Sequence, residues 1–217
     1  KKKDYISKIK IAFIDIETSS EYGFPNIREA NEEVLAISIK IGDDFKVYGC
    51  GEYVPSDGVM YVKCENETQL LEYFIRDWSA DYPDIVTGWN SRFFDIPYLC
   101  NRIKNICGDD EIKRLSPWGS VSSRDVFKMG RTHQLYDIQG VAHLDYFDLY
   151  RKFTYTAQES YRLDHIAFVE LGERKDGNPY ETFRDWYTKD YQSFIEYNIT
   201  DVEIVDKLED KMKLIEL

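Results

Sequence analysis

The segment IKIAFIDI, residues 9–16, followed directly by Glu17 and Thr18, decides how the rest of the chain is read. Its dense run of isoleucine and phenylalanine reads as a buried strand. The lysine-rich leader before it is expected to be solvated. Working outward, EVLAISIKI (33–41) alternates and ends in the turn Gly42-Asp43-Asp44, and FKVYGC (45–50) returns. These three segments predict an antiparallel meander. A short strand at 59–63 leads to Asn66, a helix N-cap, and the helix after it places Leu70, Leu71, Phe74, Ile75 and Trp78 on one face. DIVTGW (84–89) predicts another buried strand, and a helix near 95–107 ends at Gly108. Strand, helix, strand, helix in this order predicts an α/β fold, a central mixed sheet with helices against it.

Further along, Gly130 divides VSSRDVFKMGRTHQLYDIQG (121–140) into two arms of a hairpin, and 160–171 forms a short helix capped by Gly172. The last segment, 189–216, is a long helix with Phe194, Tyr197, Asp201, Val205, Leu208, Met212 and Ile215 at helical spacing. No repeat, low-complexity tract or Ser/Pro linker intervenes, so 1–217 reads as one domain.

Composition narrows the function classes. Of 217 residues, 43% are hydrophobic and 31% charged, which excludes a disordered or collagen-like chain. No apolar run is long enough to span a bilayer, and the basic N-terminus lacks a signal-peptide core, so no membrane and an intracellular location are expected. Acids outnumber bases, 40 to 28, for a formal charge of −12. Such a chain does not coat a duplex through phosphate neutralisation. It does not exclude nucleic acid either, because a metal ion held by clustered carboxylates inverts the local sign. The cysteines at 50, 64, 100 and 107 lack CxxC spacing and do not pair with the histidines at 133, 143 and 165. They read as buried free thiols of a reducing compartment, not a zinc site.

The acids supply the chemistry. Asp15 and Glu17 are two apart on the first strand, on one face of the sheet, among apolar neighbours. A strand end emerging into solvent is the competing explanation. Asp95 follows a buried strand in GWNSRFFDIPY, where it also fits a helix N-cap. Tyr197 and Asp201 lie four apart on the apolar face of the last helix. Tyr197 alone fits a core aromatic, whereas a carboxylate on that face is costly unless paired or ligated. Four carboxylates with a tyrosine one turn from the last suggest a two-metal phosphodiester site, since hard divalent cations prefer oxygen ligands.

As a set, D-x-E on the first strand, N-x-x-x-F-D before a helix and Y-x-x-x-D in a late helix resemble the three exonuclease motifs of the DEDD superfamily, in its tyrosine (DEDDy) branch. FIDIET, TGWNSRFFDIPYLCNRIK, SPWGSV, LDYFDLYRKF and YNITDVEIVDK, in that order, resemble the proofreading domain of family B DNA polymerases, especially those of T-even-type bacteriophages. The resemblance implies a ribonuclease H-like fold and metal-dependent 3′→5′ removal of nucleotides from DNA. It implies two divalent ions, Mg²⁺ with Mn²⁺ as substitute, held by Asp15, Glu17, Asp95 and Asp201. Tyr197 then matches the tyrosine that orients the attacking water. The implied partners are a single-stranded 3′ end or frayed primer terminus and the polymerase domains of a parent enzyme. Asn90 and Phe94 match positions near the substrate, where an aromatic stacks on a terminal base. The hairpin at 121–140 resembles one that separates primer from template, and Arg124, Lys128 and Arg131 on it suit phosphate contacts.

Two departures are visible. Arg162 stands where several members carry Ser or Thr, and no segment of these residues resembles a polymerase palm. Two other readings share the fold: a catalytically silent single-strand-binding module and a DEDD nuclease acting on RNA. The first expects lost carboxylates, and none is lost. The match along the whole chain disfavours the second.

Overall fold

The computed structural model describes residues 9–216 except 22, 129 and 176; most of the lysine-rich leader lies outside the described residues. The opening strand β1 (Ile11–Thr18) pairs antiparallel with β2 (Val34–Ile41), which pairs antiparallel with β3 (Asp44–Gly49), as the alternating segments predict. β4 (Val59–Lys63) lies parallel to β3 at one edge. On the other side of β1, β5 (Ile85–Thr87) and then β8 (Ala142–His143) join in parallel. The sheet is therefore mixed, in the order β4-β3-β2-β1-β5-β8. β6 (Val121–Lys128) and β7 (Arg131–Ile138) form a separate antiparallel hairpin. This is the ribonuclease H-like arrangement of a mixed sheet, flanking helices and an inserted hairpin.

Alternation along β1 and β2 assigns the two faces. Ala12, Ile14, Ile16, Ile37 and Ile39 pack into one core with α1 (Glu67–Ala80) and α2 (Asp95–Cys107). Phe13 and Ala36 point the other way, into a core shared with α3 (Tyr146–Phe153), α4 (Leu163–Leu171), α5 (Phe183–Lys189) and α6 (Tyr191–Met212). α1 starts where expected: the Asn66 side chain accepts the Gln69 N–H at 3.0 Å. Its buried residues are Leu70, Leu71, Phe74, Ile75 and Trp78. Gly172 ends α4 in the left-handed region, at φ 71.

Two expectations need correcting. Phe94, not Asp95, occupies the N-cap position of α2, and no side chain caps that end. Asp95 is the first helical residue and turns its carboxylate toward β1 instead. Cys50 is exposed, because it follows the last residue of β3 at the end of the sheet; Cys64 and Cys100 are buried.

One buried ion pair ties the α1–α2 layer to the loop before β2. Arg102 donates to both oxygens of Glu67 at 2.7 and 2.6 Å and to the carbonyls of Ala30 and Asn31 at 2.9 and 3.1 Å. Glu67 in turn accepts the Val34 N–H at 2.8 Å. Removing one partner of such a pair leaves a buried charge uncompensated. Arg102→Leu is therefore expected to lower the unfolding free energy by about 3 kcal/mol in urea titration. A loss below about 1 kcal/mol would mean that the pair behaves as a surface one.

Candidate metal centre

β1 delivers the first two acids. Asp15 and Glu17 continue the row begun by Phe13 and so face α6, the helix packed across that side of the sheet. α6 delivers the third, Asp201. One oxygen from each of Asp15, Glu17 and Asp201 falls within 4.8 Å of the others. Asp95 lies outside this trio, and its position follows from the strand ends. β5 stops at Thr87, opposite Phe13, so β1 runs on without a strand partner on that side. Asp95 Oδ1 fills part of the gap by accepting the Ile16 N–H at 3.1 Å. The carboxylate is buried, at 4% exposure.

Two polar side chains from α6 and the following sheet face fix Asp15. Asn198, fully buried, donates from Nδ2 to Asp15 Oδ2 at 2.6 Å, and its own Oδ1 accepts the Ser38 hydroxyl. Lys175, from the loop after α4, forms an ion pair with Asp201 and lies 3.3 Å from the centroid of the Tyr197 ring. Trp186 meets the same ring edge-on, at 4.8 Å between centroids. Tyr197 is thus held between a cation and an indole.

Crowded negative charge shows in the proton affinities. Burial, then the neighbouring Asp201, Asp95 and Glu17 carboxylates, push Asp15 well above the usual carboxylate range. Glu17 is pushed up to about 8, by burial first and Asp201 second. Burial raises Asp95 to about 7 against the bond from Ile16 N–H, and raises Asp201 against the pull of Lys175. Burial and Asp201 likewise raise Tyr197, which keeps its phenol protonated at neutral pH. Burial alone would lower Lys175, but Asp201 and Tyr197 hold it up, so it stays a cation. An all-oxygen donor set whose members resist ionising together fits divalent cations, which supply the missing positive charge.

Two clefts meet at Asn90, and the first of them reaches Asp201. One, of about 370 Å³, runs from Trp89 and Asn90 past Arg162 to Lys175, Tyr197 and Asp201. The other, of about 230 Å³, lies between Phe24, Phe94, Arg28, Arg131 and His133. Asn90, in the left-handed region at φ 65, lines both. Phe94 is partly buried, with its ring centroid 5.7 Å from that of Tyr98 and 5.4 Å from that of the exposed Phe24. The three hairpin cations differ. Arg124 pairs with Asp137 at 2.8 Å, and Lys128 pairs with Asp148 at 2.9 Å while lying over the Phe93 ring. Among the described residues Arg131 has no carboxylate partner, and it donates to His133 Nε2 at 3.3 Å.

Sequence reading missed Lys175, Asn198 and Asp145. Lys175 sits in a polar loop with no periodic signal. Asn198 was findable: it lies four residues after Phe194 and four before Val202, on the buried stripe of α6. Asp145 caps α3, accepting the Phe147 N–H at 2.9 Å, and the strand it follows is only two residues long.

Comparison with known proteins agrees with this geometry. Residues 1–166 match the family model described as DNA polymerase family B, exonuclease domain. The DNA-directed DNA polymerase of Escherichia phage RB69 is 35% identical over 97% of this chain and 26% of its own length. That of Enterobacteria phage T4 is 35% identical over 93% of this chain and 25% of its length. The DNA polymerase delta catalytic subunit of Caenorhabditis elegans is 28% identical over 95% of this chain and 20% of its length. The chain therefore spans about a quarter of the length of the curated relatives it matches. Among the described residues, no helix is long and apolar enough to cross a membrane.

The raised carboxylates set a pH dependence. Glu17 titrates near 8 when folded against an ordinary 4.5, so the metal-free folded chain binds more protons than the unfolded one. The stability this contributes is present below the ordinary carboxylate range and is lost as pH rises through about 8. The melting temperature in EDTA is expected to fall between about pH 5 and pH 8, and Mg²⁺ or Mn²⁺ to restore it at pH 8. Scanning fluorimetry checks this; a metal-free chain equally stable at both values, with no response to either ion, would contradict it.

Proposed function

Because the chain belongs to the exonuclease-domain family of the family B DNA polymerases, we propose that it removes nucleotides one at a time from the 3′ end of DNA, as the proofreading domain of a replicative polymerase. The observation that carries this reading is the convergence of Asp15, Glu17 and Asp201, from one strand and one helix, within 4.8 Å. We take 1–217 as one exonuclease domain, acting inside the cell on a single-stranded 3′ end or a frayed primer terminus, alongside polymerase domains of a parent enzyme.

Asp15, Glu17, Asp95 and Asp201 would hold two divalent ions, Mg²⁺ or Mn²⁺. Such ions, when bound, acidify a water and stabilise the departing 3′ oxygen. The chain's own groups do the rest. Asn198 fixes the rotamer of Asp15, and Lys175 offsets part of the charge of Asp201. Tyr197, protonated and held by Lys175 and Trp186, orients the attacking water through its hydroxyl and does not take its proton. Phosphorus accepts the water oxygen as its bond to the 3′ oxygen of the preceding nucleotide breaks; the water proton passes to solvent, solvent returns one to the new 3′ hydroxyl, and the product is a nucleoside 5′-monophosphate.

The cleft lined by Asn90, Tyr197 and Asp201 would receive the terminal nucleotide. Phe94 and its neighbour Phe24 offer rings for base stacking in the adjoining cleft, a contact worth roughly 1–3 kcal/mol per base. Of the hairpin cations, Arg131 is the freest to meet phosphate; Arg124 and Lys128 would first have to leave Asp137 and Asp148.

A time course with 5′-labelled single-stranded DNA and Mg²⁺ tests the activity. The expected result is a ladder shortening from the 3′ end, absent in an Asp15→Ala/Glu17→Ala variant and in EDTA. Asp95→Ala or Asp201→Ala should each cost at least about 100-fold in turnover, since each removes a ligand whose ion stabilises the transition state by several kcal/mol. Tyr197→Phe should cost only about tenfold, as a positioning group would. Cleavage that survives EDTA, or a Tyr197→Phe variant as inactive as the aspartate variants, would contradict these assignments.

A further inference from the structure

Asp15 and Glu17 lie within β1 and Asp201 within α6, whereas Asp95 is the first residue of α2 and is reached through the loop 88–94, which belongs to no strand. That loop is held from outside. β8 and the residues after it continue a parallel ladder against β5: Ala142 N–H bonds Asp84 O at 2.8 Å, Leu144 N–H bonds Val86 O at 3.0 Å, and Tyr146 N–H bonds Gly88 O at 3.0 Å. Gly88 allows close approach to β1, since a Cβ there would lie 2.4 Å from the Ile14 carbonyl oxygen. Beyond Gly88 the main-chain ladder stops, and the side chain of Asp145 takes over. Its Oδ1 accepts the Asn90 N–H at 3.1 Å, and its Oδ2 accepts the Arg92 N–H at 2.8 Å. Between them, Ser91 Oγ lies 2.9 Å from His143 Nε2.

From this grip the bonds run unbroken to the acid. The Asn90 carbonyl accepts both Phe93 N–H and Phe94 N–H at 3.1 Å, and the Ser91 carbonyl accepts Ile96 N–H at 3.0 Å. α2 thereby begins at Asp95, whose Oδ1 meets the Ile16 N–H on β1. Asn90 sits at φ 65, a conformation in which a non-glycine residue needs outside support.

We propose that Asp145 is a positioning residue of the candidate site, a side-chain extension of the β5–β8 ladder that holds Asn90 in its left-handed conformation and so sets where Asp95 stands against Asp15 and Glu17. Asp145 is 3% exposed, and its carboxylate accepts from the backbone N–H groups of Asn90, Arg92 and Phe147. Two acceptor oxygens are needed to serve them, and an amide would turn its NH₂ toward one. Capping α3 alone would be met by serine; the second carboxylate oxygen, which accepts the Arg92 N–H, serves the loop.

The activity arm of the test rests on the exonuclease reading; the exchange arm does not. In the 217-residue chain, Asp145→Asn should lower kcat on a single-stranded 3′ end by about 10- to 100-fold, with KM changed less than about threefold. Asp145→Ser, which keeps the α3 cap, should behave alike and serves if the amide variant does not fold. Asn90→Gly relieves the need for support at positive φ, so in that background the penalty of Asp145→Asn should shrink to less than about threefold. Amide hydrogen exchange should quicken at Asn90 and Arg92 but not at Ala142 or Leu144. Full activity of Asp145→Ser, an equal penalty in both backgrounds, or unchanged exchange at Asn90 and Arg92 would overturn the proposal. If the wild-type chain cleaves nothing, the exonuclease reading falls and the exchange result alone decides this one.

Discussion

Like charges do not gather without cause, and the arrangement of this protein turns on three that do. β1 and α6 bring the carboxylates of Asp15, Glu17 and Asp201 within 4.8 Å, with Asp95 close behind on the neighbouring helix. In a buried setting each added negative charge raises the cost of the others, and Glu17 accordingly holds its proton up to about 8. Lys175 answers only part of this, through Asp201. A divalent cation would supply the remaining positive charge, and on the proposed function it would let a chain of net charge −12 approach a polyanion.

Much of this was legible in the sequence because two periodicities expose it. Alternation in a strand puts Asp15 and Glu17 in one row, and helical spacing puts Asp201 on a stripe otherwise apolar; in both, a polar residue breaks a pattern that burial enforces. The meander, α1, α2, the hairpin and α6 followed from the same signals. Asp95 was legible as an acid at a helix start, but its capping role was misread, because the open edge of β1 beyond Thr87 is a tertiary fact. The Lys175–Asp201 pair and the bonds of Asp145 to the 88–94 loop left no trace, since those partners lie 26 and at least 53 residues away and no local pattern encodes such contacts. β8, two residues long, is too short for any period.

The scaffold treats the acids unequally. Asp15 and Glu17 are fixed by the part of β1 that pairs with β2, beyond its short pairing with β5, and Asp201 by a long helix packed across that strand. Asp95 depends on a loop, a left-handed asparagine and one buried carboxylate. If these acids are the ligands proposed above, the support of Asp95 is the point at which small changes in the surrounding chain would reach the site, without altering the acids themselves.

The central claim is that the carboxylate cluster is a two-cation site. Titration of the metal-free chain with Mn²⁺ near pH 7.5, following free ion by electron paramagnetic resonance, tests it most directly. The account predicts two ions bound per chain, and loss of both in an Asp15→Ala/Glu17→Ala variant that keeps its fold. Binding that is absent, or that persists unchanged in the variant, would contradict it.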